Sequence, residues 1–227
     1  MKCTVFLLLM MVCCLYGQKK PLDHSVYDSW QNLGMRKISN DGKWIAYSVD
    51  PQEGNSNLFL YSVKNKTSKT FARGTKVDFT NDSRFAVFQI RPQYKDIKAV
   101  KDKKLKKNKL TKDSLAIVDV LNDKTEKIPN VKTFKIPEKA GSYVAYLLED
   151  TKDKSSDKED GDENKEEDKN VKPLQLVVRN LLDGKSTTYD NVIRYEFSKN
   201  GKQLAFVTKK PDEKKDKKEG KDSEDEK

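Results

Sequence analysis

One pattern occurs four times along this chain of 227 residues, and it limits the possible folds more than any other feature. Each copy has a polar turn that leads into an apolar stretch containing alanine. The copies are Ile38-Ser39-Asn40-Asp41-Gly42-Lys43-Trp44-Ile45-Ala46-Tyr47, Phe79-Thr80-Asn81-Asp82-Ser83-Arg84-Phe85-Ala86-Val87-Phe88, Ile136-Pro137-Glu138-Lys139-Ala140-Gly141-Ser142-Tyr143-Val144-Ala145-Tyr146 and Phe197-Ser198-Lys199-Asn200-Gly201-Lys202-Gln203-Leu204-Ala205-Phe206. Gly and Asn tolerate the positive φ of tight hairpin turns, so each copy reads as two antiparallel strands. A second hairpin follows in the first three copies. Leu58-Phe59-Leu60-Tyr61-Ser62-Val63 runs into Lys64-Asn65-Lys66-Thr67, Leu115-Ala116-Ile117-Val118-Asp119-Val120 into Asn122-Asp123-Lys124-Thr125, and Leu174-Gln175-Leu176-Val177-Val178 into Leu182-Asp183-Gly184-Lys185. Short closing strands are expected near Phe71, Ile128 and Tyr189.

Four strands joined by hairpins and repeated in tandem are the signature of β-propeller blades. The first step, from Ile38 to Phe79, is 41 residues, and the later steps are 57 and 61. The excess lies between the second and third strands, in charged stretches at about 92–112 and 150–170. Pro51, Pro92 and Pro211 mark the same exit point in three repeats, so the insertions should project from one face of the disc. The fourth repeat offers two strands before a charged tail over 209–227. The fold class expected is therefore all-β: an incomplete propeller of about three and a half four-stranded blades with disordered charged insertions. A closed ring needs roughly four to eight blades, so truncation is the expectation here.

The first 18 residues read as a secretory signal. Lys2 precedes an apolar run from Val5 to Leu15, and Gly17 offers a small residue for cleavage. The run is shorter than the roughly 20 residues of a membrane span, so no membrane span is expected. The implied location is the periplasm or the cell exterior; a lipoprotein anchor is disfavoured because Val12 and Cys13 sit poorly before a lipidated cysteine. All three cysteines, Cys3, Cys13 and Cys14, lie inside the signal. The mature chain then has no thiol for disulfide, metal or nucleophile chemistry.

Charge is gathered into runs, and charged residues make up 36% of the chain. Residues 91–112 carry a net charge of +8, which invites a nucleic-acid reading. Secretion removes the usual partner and Tyr94 is the only aromatic in the run, so a solvated loop and no nucleic acid are expected. Residues 149–170 carry a net charge of −6 but lack the ligand spacing and placed glycine of a calcium loop. The two runs could also attract each other across their shared face. His24 is the only histidine and precedes the first blade, and no Gly-x-Ser-x-Gly elbow occurs, so a Ser-His-Asp triad is not expected. Trp44, Tyr47, Phe59, Phe85, Phe88, Tyr143, Tyr146 and Phe206 recur at matching strand positions and read as inter-blade core. Asn65-Lys66-Thr67 and Asn81-Asp82-Ser83 fit a glycosylation acceptor, but turns favour those residues anyway. No catalytic, cofactor-binding or metal-ligating residue is assigned, and no cofactor.

The segment Lys20-Pro21-Leu22-Asp23-His24-Ser25-Val26-Tyr27-Asp28-Ser29-Trp30, followed by Asn32-Leu33-Gly34 and the first repeat, resembles the N-terminus of secreted prolyl oligopeptidase-family (S9) serine peptidases of Gram-negative bacteria. The repeat itself is also similar to the WD40-like units of the TolB propeller. In the peptidase family a propeller covers a C-terminal α/β-hydrolase domain with a Ser-Asp-His triad and admits short peptides. The resemblance implies a substrate-gating propeller that is catalytically silent by itself, with the hydrolase domain as its partner in cis and peptide substrates only when that domain is present. A stand-alone TolB-like propeller that binds proteins is the alternative. The expected organisation is a signal peptide at 1–18, a lead-in at 19–34, and a partial propeller at 35–208. Its blades lie at about 35–73, 76–130 and 132–191, with a half-blade at 193–208, before the tail.

Overall fold

The computed structural model describes residues 27, 30–103, 111–149 and 172–209. Three antiparallel sheets follow one another along the chain. The first contains β1 (Gln31–Ile38), β2 (Trp44–Pro51), β3 (Asn57–Ser62) and β4 (Thr67–Ala72). The second contains β5 (Gly74–Phe79), β6 (Phe85–Ile90), β7 (Ser114–Asp119) and β8 (Lys124–Ile128). The third joins β9 (Val131–Lys135), β10 (Tyr143–Leu148), β11 (Leu174–Asn180), β12 (Ser186–Phe197) and β13 (Leu204–Thr208). Strand β12 serves twice. Its first half pairs with β11 as the outer strand of the third blade, and its second half pairs with β13 as the inner strand of the next. The result is an open arc of three blades and the first two strands of a fourth.

A repeated side-chain device makes the turns. Ser39 Oγ donates to Asp41 and accepts the Trp44 N–H, while Asp41 accepts the Lys43 N–H. Thr80 and Asp82 do the same around Arg84 and Phe85, and Ser198 and Asn200 around Lys202 and Gln203. A hydroxyl and a carboxylate or amide two residues apart thus satisfy backbone donors that the turn leaves unpaired. The residue after the acid takes φ near +60° to +70°: Gly42, Ser83 and Gly201. The second hairpins use Ser62, Asp119 and Asn180 in the same way, each accepting a turn N–H.

Register fixes which residues are equivalent. Ala46, Val87, Ala145 and Ala205 occupy one position of the second strand, and Tyr47, Phe88, Tyr146 and Phe206 the next. The alanines of three repeats therefore match, whereas Ala86 is offset by one: it follows its turn hydroxyl, Thr80, by six residues, where Ala46 and Ala205 follow Ser39 and Ser198 by seven. The aromatic position faces the preceding blade. Phe88 packs with Leu58, Leu60 and Phe71 of the first blade, and Tyr146 with Val87, Leu115 and Ile117 of the second. A third cluster joins Ala145, Leu147 and Leu176 to Val192 and Tyr195. Strands β6 and β7, flanked by blades on both sides, are buried along almost their whole length, whereas β2 alternates and β13 is mostly exposed. Tyr47, with no blade before it among the described residues, stacks on Phe59 at 5.1 Å.

Polar contacts tie the turns of neighbouring blades. Asn40 Nδ2 donates to the Asn81 carbonyl at 3.0 Å, the Asp41 N–H to Ser83 Oγ at 3.0 Å, and Ser142 Oγ to Asp82. The third repeat, which lacks the hydroxyl-acid pair, gives its serine to the second blade instead. The fourth turn approaches so closely that a Cβ on Gly201 would lie 2.9 Å from the Pro137 Cβ. Charges repeat along the inner strands too. Lys37, Asp78, Lys135 and Glu196 share one register position, and adjacent members pair, Lys37 with Asp78 at 2.7 Å and Lys135 with Glu196.

The basic insertion, expected to lack structure, opens with a helix, α1 (Tyr94–Asp102). Pro92 cannot continue a ladder, Asp96 in the first turn and Lys101 in the last suit the helix dipole, and the exit loop of the first blade clamps the start. Residues 104–110 and the acidic insertion over 150–171 lie outside the described residues, as do the signal, His24 and the tail from 210 onward.

Two predictions follow from this packing. Phe88→Ala should lower unfolding free energy by about 3–5 kcal/mol, whereas Phe206→Ala, at the equivalent but 36% exposed position, should cost about 1 kcal/mol or less, as read from urea midpoints. Burial alone would raise the Asp82 carboxyl, but the hydrogen bonds from Ser142, Thr80 and the Arg84 N–H outweigh it and hold it below the usual carboxylate range. Asp119 is held low in the same manner by Asn122 and Arg84. The folded chain then binds fewer protons than the unfolded one in acid. Stability should be full above about pH 4 and fall as pH drops through the lower folded values, and Asp82→Asn should flatten that slope in urea melts.

Candidate functional site

Antiparallel pairing puts the start of each first strand beside the end of each second strand, and this builds one face of the arc. There the N–H of Gln52 donates to the Trp30 carbonyl, Arg91 to Arg73, Glu149 to Asn130 and Lys209 to Asn191, at 2.7 to 3.0 Å. The outer strand passes into the next inner strand through Arg73 alone at the first junction and through Pro129 and Asn130 at the second, while at the third the two run on as the single strand β12, with Asn191 inside it. Arg73, Asn130 and Asn191 hold φ of 64°, 59° and 60°. Asparagine enters this left-handed region readily and arginine does not. Arg73 is held there by its own bonds: its N–H reaches the Ser56 carbonyl at 2.6 Å and its Nη1 the Arg91 carbonyl at 2.9 Å. Next to it, a Cβ on Gly74 would stand 2.6 Å from the Leu58 Cβ, so the chain passes tightly against the first blade.

Both charged insertions leave from this face. Helix α1 is anchored by Asn55, whose Nδ2 donates to Gln93 Oε1 at 2.7 Å and whose Oδ1 accepts the Tyr94 N–H at 2.8 Å, and by the Lys98 to Glu53 ion pair. Lys112, at the return of the basic insertion, pairs with Glu149, at the exit of the acidic one, at 3.3 Å. The stems of the two oppositely charged runs are thus joined. Beside them Asp113 is half-buried, which pushes its carboxyl up against the pull of Arg91 and Lys76.

A cavity of about 570 Å³ opens under the acidic stem, lined by Asn130, Leu148, Glu149, Leu174, Asp190 and Asn191 among others. Gln175 Nε2 donates to Asp190 at 3.0 Å, so one carboxylate is already oriented. This lining offers acceptors, amides and a leucine wall. It can hold a ligand, and the described residues bring no nucleophile and base together within it. Among the described residues no three His, Cys, Asp or Glu side chains gather at metal-binding distance, and no helix is long and apolar enough to cross a membrane.

Residues weighed from the sequence fall as follows. Of the aromatics expected in the core, Phe85, Phe88 and Tyr146 are buried there and Trp44 packs partly buried against it, whereas Tyr143 and Phe206 are exposed; Asn65 and Asn81 sit in turns, with Asn81 Oδ1 receiving the Asn40 amide at 3.2 Å. Arg73 and Asn55 escaped the sequence reading. The asparagines at the two other junctions were a usable signal for the first; the second had none, because its partners lie 38 and 39 residues away.

No protein-family model matches the sequence, and no curated protein matches it either. Among solved structures, the chain is similar to the β-propeller domain of the Trilobed protease from Pyrococcus furiosus, described as having an open velcro topology, with 10% identity and a TM-score of 0.44 over 74% of this chain and 45% of that one. It is similar also to the acylaminoacyl peptidase of Pyrococcus horikoshii, with 8% identity and a TM-score of 0.50 over 81% of this chain and 29% of that one. Such low identities speak for the fold alone. The chain spans less than half the length of either structure.

Asn55→Ala should release α1 without unfolding the arc. Amide exchange over residues 94–102 should speed up markedly while the urea midpoint changes little, because the helix buries no residue.

Proposed function

We propose that this chain is the propeller portion of a secreted S9-type serine peptidase, acting in the periplasm or outside the cell. In that role it screens peptides on their way to an α/β-hydrolase domain. The observation that carries this reading is the pairing of two independent features: the N-terminal segment around His24 and Trp30, and the arc of four-stranded blades that follows it. The sequence alone supplies the first, and the fold supplies the second.

Gating by a propeller needs two properties that this arc supports. Its blades pack through apolar faces, so they form a rigid wall, and its insertions share one face, where they can narrow an entrance. The chain by itself is proposed to be catalytically silent, since its one histidine precedes the first blade and no nucleophile elbow occurs in the sequence. A stand-alone protein-binding propeller is the second reading, favoured by the ligand-sized cavity on the insertion face.

The purified mature chain should give no turnover of proline- and alanine-containing chromogenic peptides above buffer, and turnover that tracks with the pure protein would refute the silent role. DNA downstream separates the two readings. Further blades and a Gly-x-Ser-x-Gly elbow in frame support the peptidase portion, and an unrelated gene supports the binding module.

A further inference from the structure

The same cleft is built twice between neighbouring blades on the face opposite the insertions, and its two versions differ in chemistry. Register makes Phe85 the counterpart of Trp44, Arg84 of Lys43, Lys124 of Thr67, Glu126 of Lys69 and Arg179 of Val118. Between the first and second blades the floor is Trp44, Leu60, Val118 and Val120, and one ion pair, Lys69 to Asp123 at 2.6 Å, crosses the rim. Lys43 turns away to Asp41 at 3.3 Å.

Between the second and third blades the cleft, of about 310 Å³, gathers three cations instead. Arg84 lies over the Phe85 ring, 5.1 Å from its centre, and gives Nε and Nη2 to Asp119 Oδ2. Arg179 pairs with both oxygens of Glu126 at 2.6 and 2.9 Å. Lys124, which lines the same cleft, has no ion pair among the described residues. Two carboxylates thus face three cations, and one positive charge is left over. The fold does not require this cluster, because the first junction closes with valine and threonine at the matching positions.

We propose that this second cleft binds the C-terminal end of a peptide whose last residue is apolar. The terminal carboxylate would take the surplus charge through the Lys124 ammonium and the Arg84 Nη1, for which no hydrogen bond is seen among the described residues. The apolar side chain would rest on Phe85, Ile117 and the exposed Leu182. Arg84 and Arg179 are about a third exposed or less, so their field is less screened than on an open surface. The volume lies at the lower end of the range for small-ligand sites, which suits a single residue and its carboxylate. This assignment does not depend on the peptidase reading, since it needs no hydrolase domain.

The test is fluorescence anisotropy of the mature chain with fluorescein-labelled Gly-Gly-Leu. The free acid should bind saturably and weaken as salt is raised. Its C-terminal amide should bind about tenfold more weakly, the loss expected for one charge-assisted hydrogen bond. Lys124→Gln should weaken the acid by a similar factor, Leu182→Ser should weaken acid and amide alike, and Lys69→Gln in the first cleft should change nothing. Equal binding of acid and amide, or an equal effect of Lys69→Gln and Lys124→Gln, would overturn the proposal. So would binding of N-acetyl-leucine as tight as that of the peptide, which would make the ligand a free small carboxylate.

Discussion

Everything in this arc depends on sheets that are apolar on both faces. An isolated four-stranded sheet with Ala86, Phe88 and Ile90 on one side and Phe85 and Val87 on the other would expose both to water. Stacking blade on blade covers each face with the next, at about 25 cal/mol for each Å² of apolar surface removed from solvent. Burial therefore rises toward the middle of the arc and falls at its ends. The second blade is dry on both sides, whereas among the described residues Tyr47 and Phe59 of the first stack on each other. With no thiol outside the first 14 residues, no disulfide can take over this duty in the blades.

Polar groups then decide how the blades are aligned. The hydroxyl-acid turns first satisfy their own backbone donors and then reach across, Asp41 to Ser83 and Asp82 to Ser142, so one chemical unit shapes a hairpin and fixes its neighbour. The inner-strand charges act in the same sense: a lysine on one blade meets an acid on the next at a common register. Such half-exposed pairs are each worth little. Their value lies in selecting one alignment among sheets whose apolar faces would tolerate several.

The two faces of the arc have diverged because their loops differ in freedom. Turns of four to seven residues keep one face short, and variety there comes from side chains that project into the clefts between blades. The other face carries the long exits, where whole segments can be inserted without disturbing a ladder. A helix, opposite-signed stems and a cavity have been added at these exits, while the junction residues Arg73, Asn130 and Asn191 keep a common backbone conformation.

The sequence by itself determined the strand quartets and both hairpin turns of each blade, because these follow from alternation and from side chains bonding to backbone a few residues away; which aromatics face the preceding blade was decided by register and stacking. It also located the insertions on one face, since the proline exits recur. Tertiary structure alone decided that α1 is held by Asn55, that Arg73 adopts a left-handed backbone, that β12 serves two blades, and that Arg84, Lys124 and Arg179 converge on one cleft. Those outcomes bring together residues up to 95 positions apart, with no local pattern to announce them. Their energies come from contacts between blades, which exist only after the blades have stacked.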